Sequence, residues 1–351
     1  MMRVGIVESP HIKEYGLRGV GFYAERLIEN LKKIAKNVFS FEHLSYKKIS
    51  ETGAANFSLI HFPFFDPFFL TLPLKKTRPT VVTIHDLIPI KFPQHFPRGI
   101  QGELKWQLQK YSLKSVKAII TDSLSSKKDI LEYTGFSKDN IYSIPLAADK
   151  KFKIISNPKL KEVATKYSLT KDFILYVGDL NWNKNLPGLL KAYSSLDQDL
   201  NLVIVGRAFL NKNLQERISL VNLVERLNLK SKINFLGFIP TDDLVAIYNL
   251  ASVYCQPSFY EGFGMPILEA MACGCPVVLS KVASLPEIAG KAALFFNPEV
   301  NEIAKALDKV LKDQNLRREL REKGLIQSRK FSWEKTARKT LNVYKKVINK
   351  R

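Results

Sequence analysis

Short runs of β-branched and aromatic residues alternate with helix-patterned stretches along the whole chain. That alternation is what parallel βαβ units require, because each crossover between parallel strands needs about a dozen residues or more. Sandwiches and helical bundles are thereby excluded. The runs predict strands at 3–7, 59–61, 81–85 and 118–121, then at 173–177, 202–205, 233–236, 253–256, 276–279 and 293–296. Helical periodicity marks 20–35, 101–116 and 123–133, and Ser332 is placed to N-cap one more amphipathic helix carrying Leu341, Val343, Tyr344 and Val347.

Two successive sets of strands fit a length of 351 residues, at which two domains each bury a core. The Lys-rich stretch 148–165, with Asn157-Pro158 inside it, is the expected linker, so the domains are expected at 1–165 and 166–330. Two doubly wound domains collect ligands at the C-terminal ends of their sheets, and the site is expected in the crevice between them.

Composition narrows the function. Hydrophobic residues make up 46% and charged ones 25%, which excludes disorder and collagen-like fibres. No apolar run reaches the roughly 20 residues of a membrane span, and Glu8 comes too early for a signal peptide, so a cytoplasmic location is expected. Cys255, Cys273 and Cys275 lack a second metal-ligand pair and read as reduced core thiols. The net charge of +21 is uneven: 26 basic against 15 acidic residues over 1–165, 14 against 14 over 166–311, and 14 against 4 over 312–351. Such localisation points to an anionic partner such as a phospholipid surface, a phosphorylated acceptor or nucleic acid; an anionic membrane touched by a peripheral protein is the leading expectation, and solvated helix faces with no partner are the alternative. Lys335, Arg338, Lys339, Lys345 and Lys346 would contribute to the membrane contact. No nucleic-acid-binding module is legible, and the chain is expected to bind none. Phe62 to Leu74, dense in aromatics and broken by Pro63, Pro67 and Pro73, is an irregular loop that either packs under the sheet or offers apolar side chains to a lipid or acceptor.

The strongest local signal is Glu261-Gly262-Phe263-Gly264-Met265-Pro266-Ile267-Leu268-Glu269, between a strand and a helix. Pro266 suits a first helical turn. Gly262 and Gly264 let backbone approach a ligand, and the helix start offers free N–H groups to an anion such as a diphosphate. Glu261 and Glu269 can then accept hydrogen bonds from sugar hydroxyls; the alternative is a plain strand-to-helix turn. His85 ends a strand, where βα loops build sites. The other histidines show no metal-ligand spacing, and Asp197-Gln198-Asp199 lies in a turn unsuited to a metal, so no metal site is expected.

The string from Glu261 to Val278 resembles the double-Glu block of the retaining family 4 (group 1) glycosyltransferases, whose fold is GT-B. Gly19-Val20-Gly21-Phe22-Tyr23, His85-Asp86-Leu87-Ile88-Pro89, Thr121-Asp122-Ser123, Gly237-Phe238, Ser284-Leu285-Pro286-Glu287 and Asn297-Pro298 are similar to that family too. The resemblance implies two Rossmann-like domains facing each other across a cleft, with helix 331–351 packed back onto the first. It implies transfer of a hexose from a nucleoside diphosphate sugar, GDP-mannose before UDP-hexoses, to a glycan or lipid-linked acceptor, with retention, no cofactor and no metal. By the same resemblance Glu269 holds the ribose, Glu261 with Gly262, Phe263, Gly264 and Met265 the donor sugar, and Lys184 the diphosphate. Gly19 and Gly21 would approach the phosphates, and His85 the sugar. The sequence departs from the family at Asp179, where many members carry an Arg; Arg207 is the candidate replacement. A sugar phosphorylase or nucleotide-sugar hydrolase on the same fold, or a non-catalytic protein binding anionic surfaces, are the rival expectations.

Overall fold

A computed structural model describes residues 1–8, 20–45, 56–197 and 199–349. It divides into two compact units, Met1–Leu146 with Phe331–Arg351, and Ala147–Lys330. In the first, β1 (Met2–Val7), β2 (Phe39–Leu44), β3 (Leu59–Phe62), β4 (Thr80–Thr83), β5 (Ala118–Thr121) and β6 (Ile141–Ser143) form one parallel sheet in the order β2-β1-β3-β4-β5-β6. The central strands β3, β4 and β5 are buried at every position, as parallel strands covered on both faces must be. The edge strands β2 and β6 were not expected from the sequence. One alternates polar and apolar residues and the other has three residues, too little signal for a buried-strand pattern.

In the second unit, β7 (Phe173–Val177), β8 (Asn201–Val205), β9 (Ile233–Gly237), β10 (Val253–Gln256), β11 (Val277–Ser280) and β12 (Leu294–Phe296) run parallel in the order β12-β11-β10-β7-β8-β9. Successive residues feed opposite cores. Phe173, Leu175 and Val177 join Val203, Val205 and Val277 on one face, while Ile174 and Tyr176 join Leu202, Ile204 and Val278 on the other. Cys255, Cys273 and Cys275 are buried in these cores as free thiols, and burial pushes each thiol well above its ordinary pKa.

The expected boundary at 165 is corrected to 146. What reads as a linker contains the helix Asn157–Lys166, whose Pro158 occupies the first turn, where a missing N–H costs no hydrogen bond. Val163 on it is fully buried in the second core, and Lys166 and Tyr167 donate to Asp243 at 2.7 and 2.8 Å. The boundary moves the charge as well. The first unit holds 28 basic and 14 acidic residues and the second 26 and 19, so the second is basic too, at +7 against +14.

The helix Trp333–Asn349 belongs to the first unit and packs on the helix Val20–Ile34. Ser332 caps it through a 3.2 Å bond from the Lys335 amide. Trp333 meets the Phe22 ring edge-on at 5.7 Å, and Thr336 donates to the Pro145 carbonyl at 2.7 Å. The loop after β3 divides its apolar residues: Phe64 and Leu72 enter the core, whereas Leu70 and Leu74 stay exposed.

Candidate active site

The second sheet reverses its strand order between β7 and β10, which lie side by side at its centre. In open parallel sheets ligands bind beyond the C-terminal ends of the strands at such a reversal. Lys184 lies on the loop after β7 and Glu261 on the loop after β10. The two loops are bolted together: Phe259 N–H donates to the Asn183 carbonyl at 2.8 Å, Asn183 Nδ2 donates to the Tyr260 carbonyl at 3.0 Å, and Trp182 stacks on Phe259 at 5.1 Å. Asn185, at φ 51°, caps the helix Leu186–Ser194 by accepting from the Gly188 amide and also donates to the Pro257 and Pro298 carbonyls at 3.0 and 3.1 Å. Three strand ends are thereby held by one side chain.

Lys184 Nζ donates to both Glu261 oxygens, at 2.8 and 2.9 Å. Glu261 is buried, and its Oε1 also accepts from Ser258 Oγ at 2.7 Å and from Gln256 Nε2. Tyr254 in turn donates to Gln256 Oε1. The carboxylate is therefore fully coordinated, the condition under which a buried charge is tolerated. Ser284 Oγ lies 3.0 Å from the carbonyls of Glu261 and Phe263, fixing the path of the glycine loop. Gly264, at φ +99°, N-caps the helix Met265–Ala272, with Pro266 in its first turn. A Cβ there would stand 2.8 Å from Ile267 Cδ1, the end of a side chain that can shift, so it is the backbone conformation that calls for glycine. Glu269 follows on that helix and accepts from the Tyr248 hydroxyl at 3.0 Å. Burial and then the charge of Glu269 raise the Tyr248 pKa well above its ordinary value, so the phenol stays a donor. Gly262 and Phe263 are buried in the same loop and Met265 is partly exposed.

Arg207 stands exposed just beyond β8, with no ion pair among the described residues. Gly206 before it comes close to a neighbouring strand end, where a Cβ would lie 2.0 Å from the Gly178 carbonyl. Asp179 is exposed and its carbonyl accepts from Tyr176 at 2.9 Å.

In the first unit His85 follows β4, and its Nδ1 lies 2.7 Å from Oδ2 of the buried Asp122, which ends β5. Burial works against a charged ring, but Asp122, Asp86 and the Pro63 carbonyl together hold the His85 pKa above its ordinary value. His85 Nε2 and Asp122 Oδ1 are buried and make no hydrogen bond of standard geometry. Beneath them runs a neutral chain. Tyr23 bonds Thr83 Oγ1 at 3.0 Å, Thr83 bonds His61 Nε2 at 2.9 Å, and His61 Nδ1 bonds Tyr344 of the last helix at 2.6 Å. Burial, and after it the neighbouring His85, push the His61 pKa down to about 3, so this imidazole is neutral. Tyr23 also meets the His85 ring edge-on at 4.9 Å. Gly21 is buried in the first turn of the helix Val20–Ile34; Gly19 lies outside the described residues.

The structure thus joins Lys184 to Glu261 and sets Glu269 on the helix that the glycine loop opens. Sequence reasoning missed Gln256; Tyr248, Ser258, Asn183 and Asn185 lay in stretches similar to the family, but their part in holding the site was not legible. Asp122 was legible as part of a motif but not as the partner of His85. Among the described residues no group of three His, Cys, Asp or Glu is placed to hold a metal ion.

Residues 159–326 match the family described as glycosyl transferases group 1, and residues 17–152 match glycosyltransferase family 4. O-antigen chain mannosyltransferase B of Escherichia coli is 35% identical over 271 residues, covering 76% of this chain and 70% of that protein. Other similar curated proteins are longer, and the chain spans about a third of their length. Among solved structures, sucrose-phosphate synthase from Thermosynechococcus elongatus superposes with a TM-score of 0.81 at 21% identity over the full length of both chains. HepE from Anabaena, in complex with UDP and glucose, gives 0.79 at 16% identity, covering 99% of this chain and all of that one. With the double-Glu loop at the strand-order reversal of a parallel sheet, the chain belongs to the group 1, family 4 glycosyltransferases and has their GT-B fold.

Proposed function

We propose that this glycosyltransferase moves mannose from GDP-mannose to a hydroxyl of a glycan or lipid-linked acceptor in cell-surface glycan synthesis, with retention and without a metal. The observation that carries it is the Lys184–Glu261 pair at the reversal of the second sheet, one loop from the helix that bears Glu269. The similarity to an O-antigen mannosyltransferase supports mannose, and the neighbour that holds UDP and glucose supports a nucleoside diphosphate sugar as donor.

Glu269, a carboxylate beside a permanently protonated Tyr248, suits the two ribose hydroxyls. The helix start at Met265 presents its N–H groups to the diphosphate. Lys184 suits the role of moving between Glu261 and the β-phosphate, where negative charge builds as the C1–O bond breaks and its electron pair stays on phosphate. The acceptor oxygen then bonds C1 on the face the phosphate leaves, and its proton passes to a phosphate oxygen. Glu261 is left to accept from donor-sugar hydroxyls. His85, whose charged form Asp122 favours, would offer a ring N–H to the sugar. Arg207 supplies the second cation that Asp179 does not.

The basic first unit supports an anionic membrane as the working surface, with Lys339 and Lys346 bordering a concavity beside Tyr142. No helix among the described residues is long and apolar enough to cross a membrane. The test is incubation of the protein with GDP-mannose or UDP-hexoses, with and without a lipid-linked glycan acceptor, and the anomeric configuration of the product read by NMR. Transfer of mannose with the donor's α-configuration is expected. Release of free sugar or sugar phosphate in place of transfer would assign hydrolysis or phosphorolysis instead.

A further inference from the structure

At the N-terminal ends of β10 and β11, the opposite end of the second sheet from the double-Glu loop, lies a concavity of about 290 Å³. Ser252 and Pro276, each directly before one of those strands, line it together with Gln314, Arg317, Arg318 and Arg321. The last four sit on one face of the helix Gln314–Ser328, three, one and three residues apart.

This helix carries its charges against its own dipole. A helix start favours acids and a helix end favours cations. Here the first turn holds no acid and the last turn no base, while Arg317, Arg318 and Arg321 crowd the first half, where like charges three and four residues apart repel. Among the described residues none of the three lies in an ion pair. The neighbouring acids are engaged elsewhere: Asp313 accepts from the Leu316 amide at 2.9 Å, Asp172 accepts from Ser252 Oγ at 2.9 Å, and Glu319 pairs with Lys323.

Two of the guanidiniums are nonetheless held in place. Arg317 Nη1 donates to the Val310 carbonyl at 2.9 Å and to the Leu311 carbonyl, and Arg321 Nη1 donates to the Gly274 carbonyl at 3.0 Å. A carbonyl orients a guanidinium without cancelling its charge, and the remaining N–H groups of the fork stay available. Fixed cations without a counter-charge around a concavity are a preorganised anion site.

We infer that this concavity binds a small phosphate-bearing anion, a diphosphate or a phosphorylated sugar, and that its occupant stiffens the helix Met265–Ala272. The arginine fork matches pairs of phosphate oxygens, and the volume lies at the small end of ligand pockets, which suits such an anion better than a whole nucleotide sugar. The site is separate from the donor loop, since β10 runs between them over roughly 10 Å. Its reach comes through Arg321. Gly274, at φ +72°, follows the end of the helix that carries Glu269, and Gly324 of the arginine-bearing helix packs on Met271 of the same helix. Anion binding there stands without the proposed function; only its bearing on donor affinity rests on that reading.

The test is calorimetric titration of the full chain with inorganic pyrophosphate in a chloride buffer. Wild type should bind it. Arg318→Glu should weaken binding at least about tenfold with unchanged thermal unfolding, and Arg318→Lys should weaken it less. Pyrophosphate should also slow amide hydrogen exchange over residues 265–276 in wild type and not in Arg318→Glu. A hexose phosphate titrated in parallel distinguishes the two occupants by which binds more tightly. No binding of either anion by wild type at millimolar concentration, equal binding by Arg318→Glu, or exchange that is unslowed in wild type or slowed equally in both would each overturn the inference. Equal binding would place the diphosphate at the Lys184 loop instead, and failure of sugar transfer with Arg318-dependent binding intact would count only against the transferase reading.

Discussion

The two units share one architecture and handle buried polar groups in opposite ways. In the second, Glu261 meets Lys184, Gln256 and Ser258, and the loops carrying them are bonded across three strand ends. In the first, His85 and Asp122 satisfy each other on one side only, above a neutral His61 tied to Tyr344. The second unit is thus prebuilt as a grip, at the cost of occupying its own cation. The first leaves His85 Nε2 and Asp122 Oδ1 buried without a hydrogen bond of standard geometry. The second site surrounds its charge pair with further donors and the first sets its pair above desolvated neutral groups, so acid, salt and mutation should act on them differently.

Lys184→Ala should have the largest effect. Turnover should fall by a factor on the order of 10² to 10³ with a smaller change in donor KM, because the lost charge acts most on the departing phosphate. The substitution also strands Glu261, and unfolding should become easier by about 3 kcal/mol. Adding Glu261→Gln should recover stability and leave turnover low. Recovery of both, measured by denaturant titration and steady-state kinetics, would break the comparison by making the pair merely structural.

Acid should act through the first unit. His61 takes a proton near pH 6.5 when unfolded but only near pH 3 when folded, so falling pH through that window favours the unfolded chain. Between pH 7 and 4 the advantage of wild type over His61→Gln should shrink by on the order of 3 kcal/mol. A constant difference across that range would show that His61 is not held neutral.

Glu269→Ala should weaken donor binding by about 1.5 to 3 kcal/mol in calorimetry. Unchanged affinity would remove Glu269 from the ribose role. The smallest effect is expected from EDTA, which should leave turnover essentially unchanged, since the proposed chemistry places its cations on side chains; strict metal dependence would overturn that part.

Much of the fold was legible because a buried parallel strand such as β7, Phe-Ile-Leu-Tyr-Val, is an uninterrupted apolar run. The weak edges β2 and β6 were not, since an edge strand half in water need not be apolar. Asn157-Pro158 misled for a related reason, because the same dipeptide ends one element or begins another, and only the burial of Val163 decides which. At the site, Glu261, Glu269 and Lys184 stood out within one motif or a short distance from it. The residues that hold them did not: Asn185 acquires its purpose only when segments 72 and 113 residues apart are brought side by side, and Gln256 only when the chain turns back after β10 to bring Glu261 onto it. Tyr344 is the extreme case, meeting His61 across 283 residues of sequence.

That last contact bears on how the protein is made. A ribosome adding roughly 5 to 20 residues per second releases the six strands of the first sheet early, yet the helix that closes over His61 follows only after the whole second unit has been synthesised. For ten seconds or more the first half waits with Phe22, Tyr23 and His61 uncovered. The second unit, contiguous in sequence, has no such wait. Chaperone demand during synthesis should therefore concentrate on the half that was translated first.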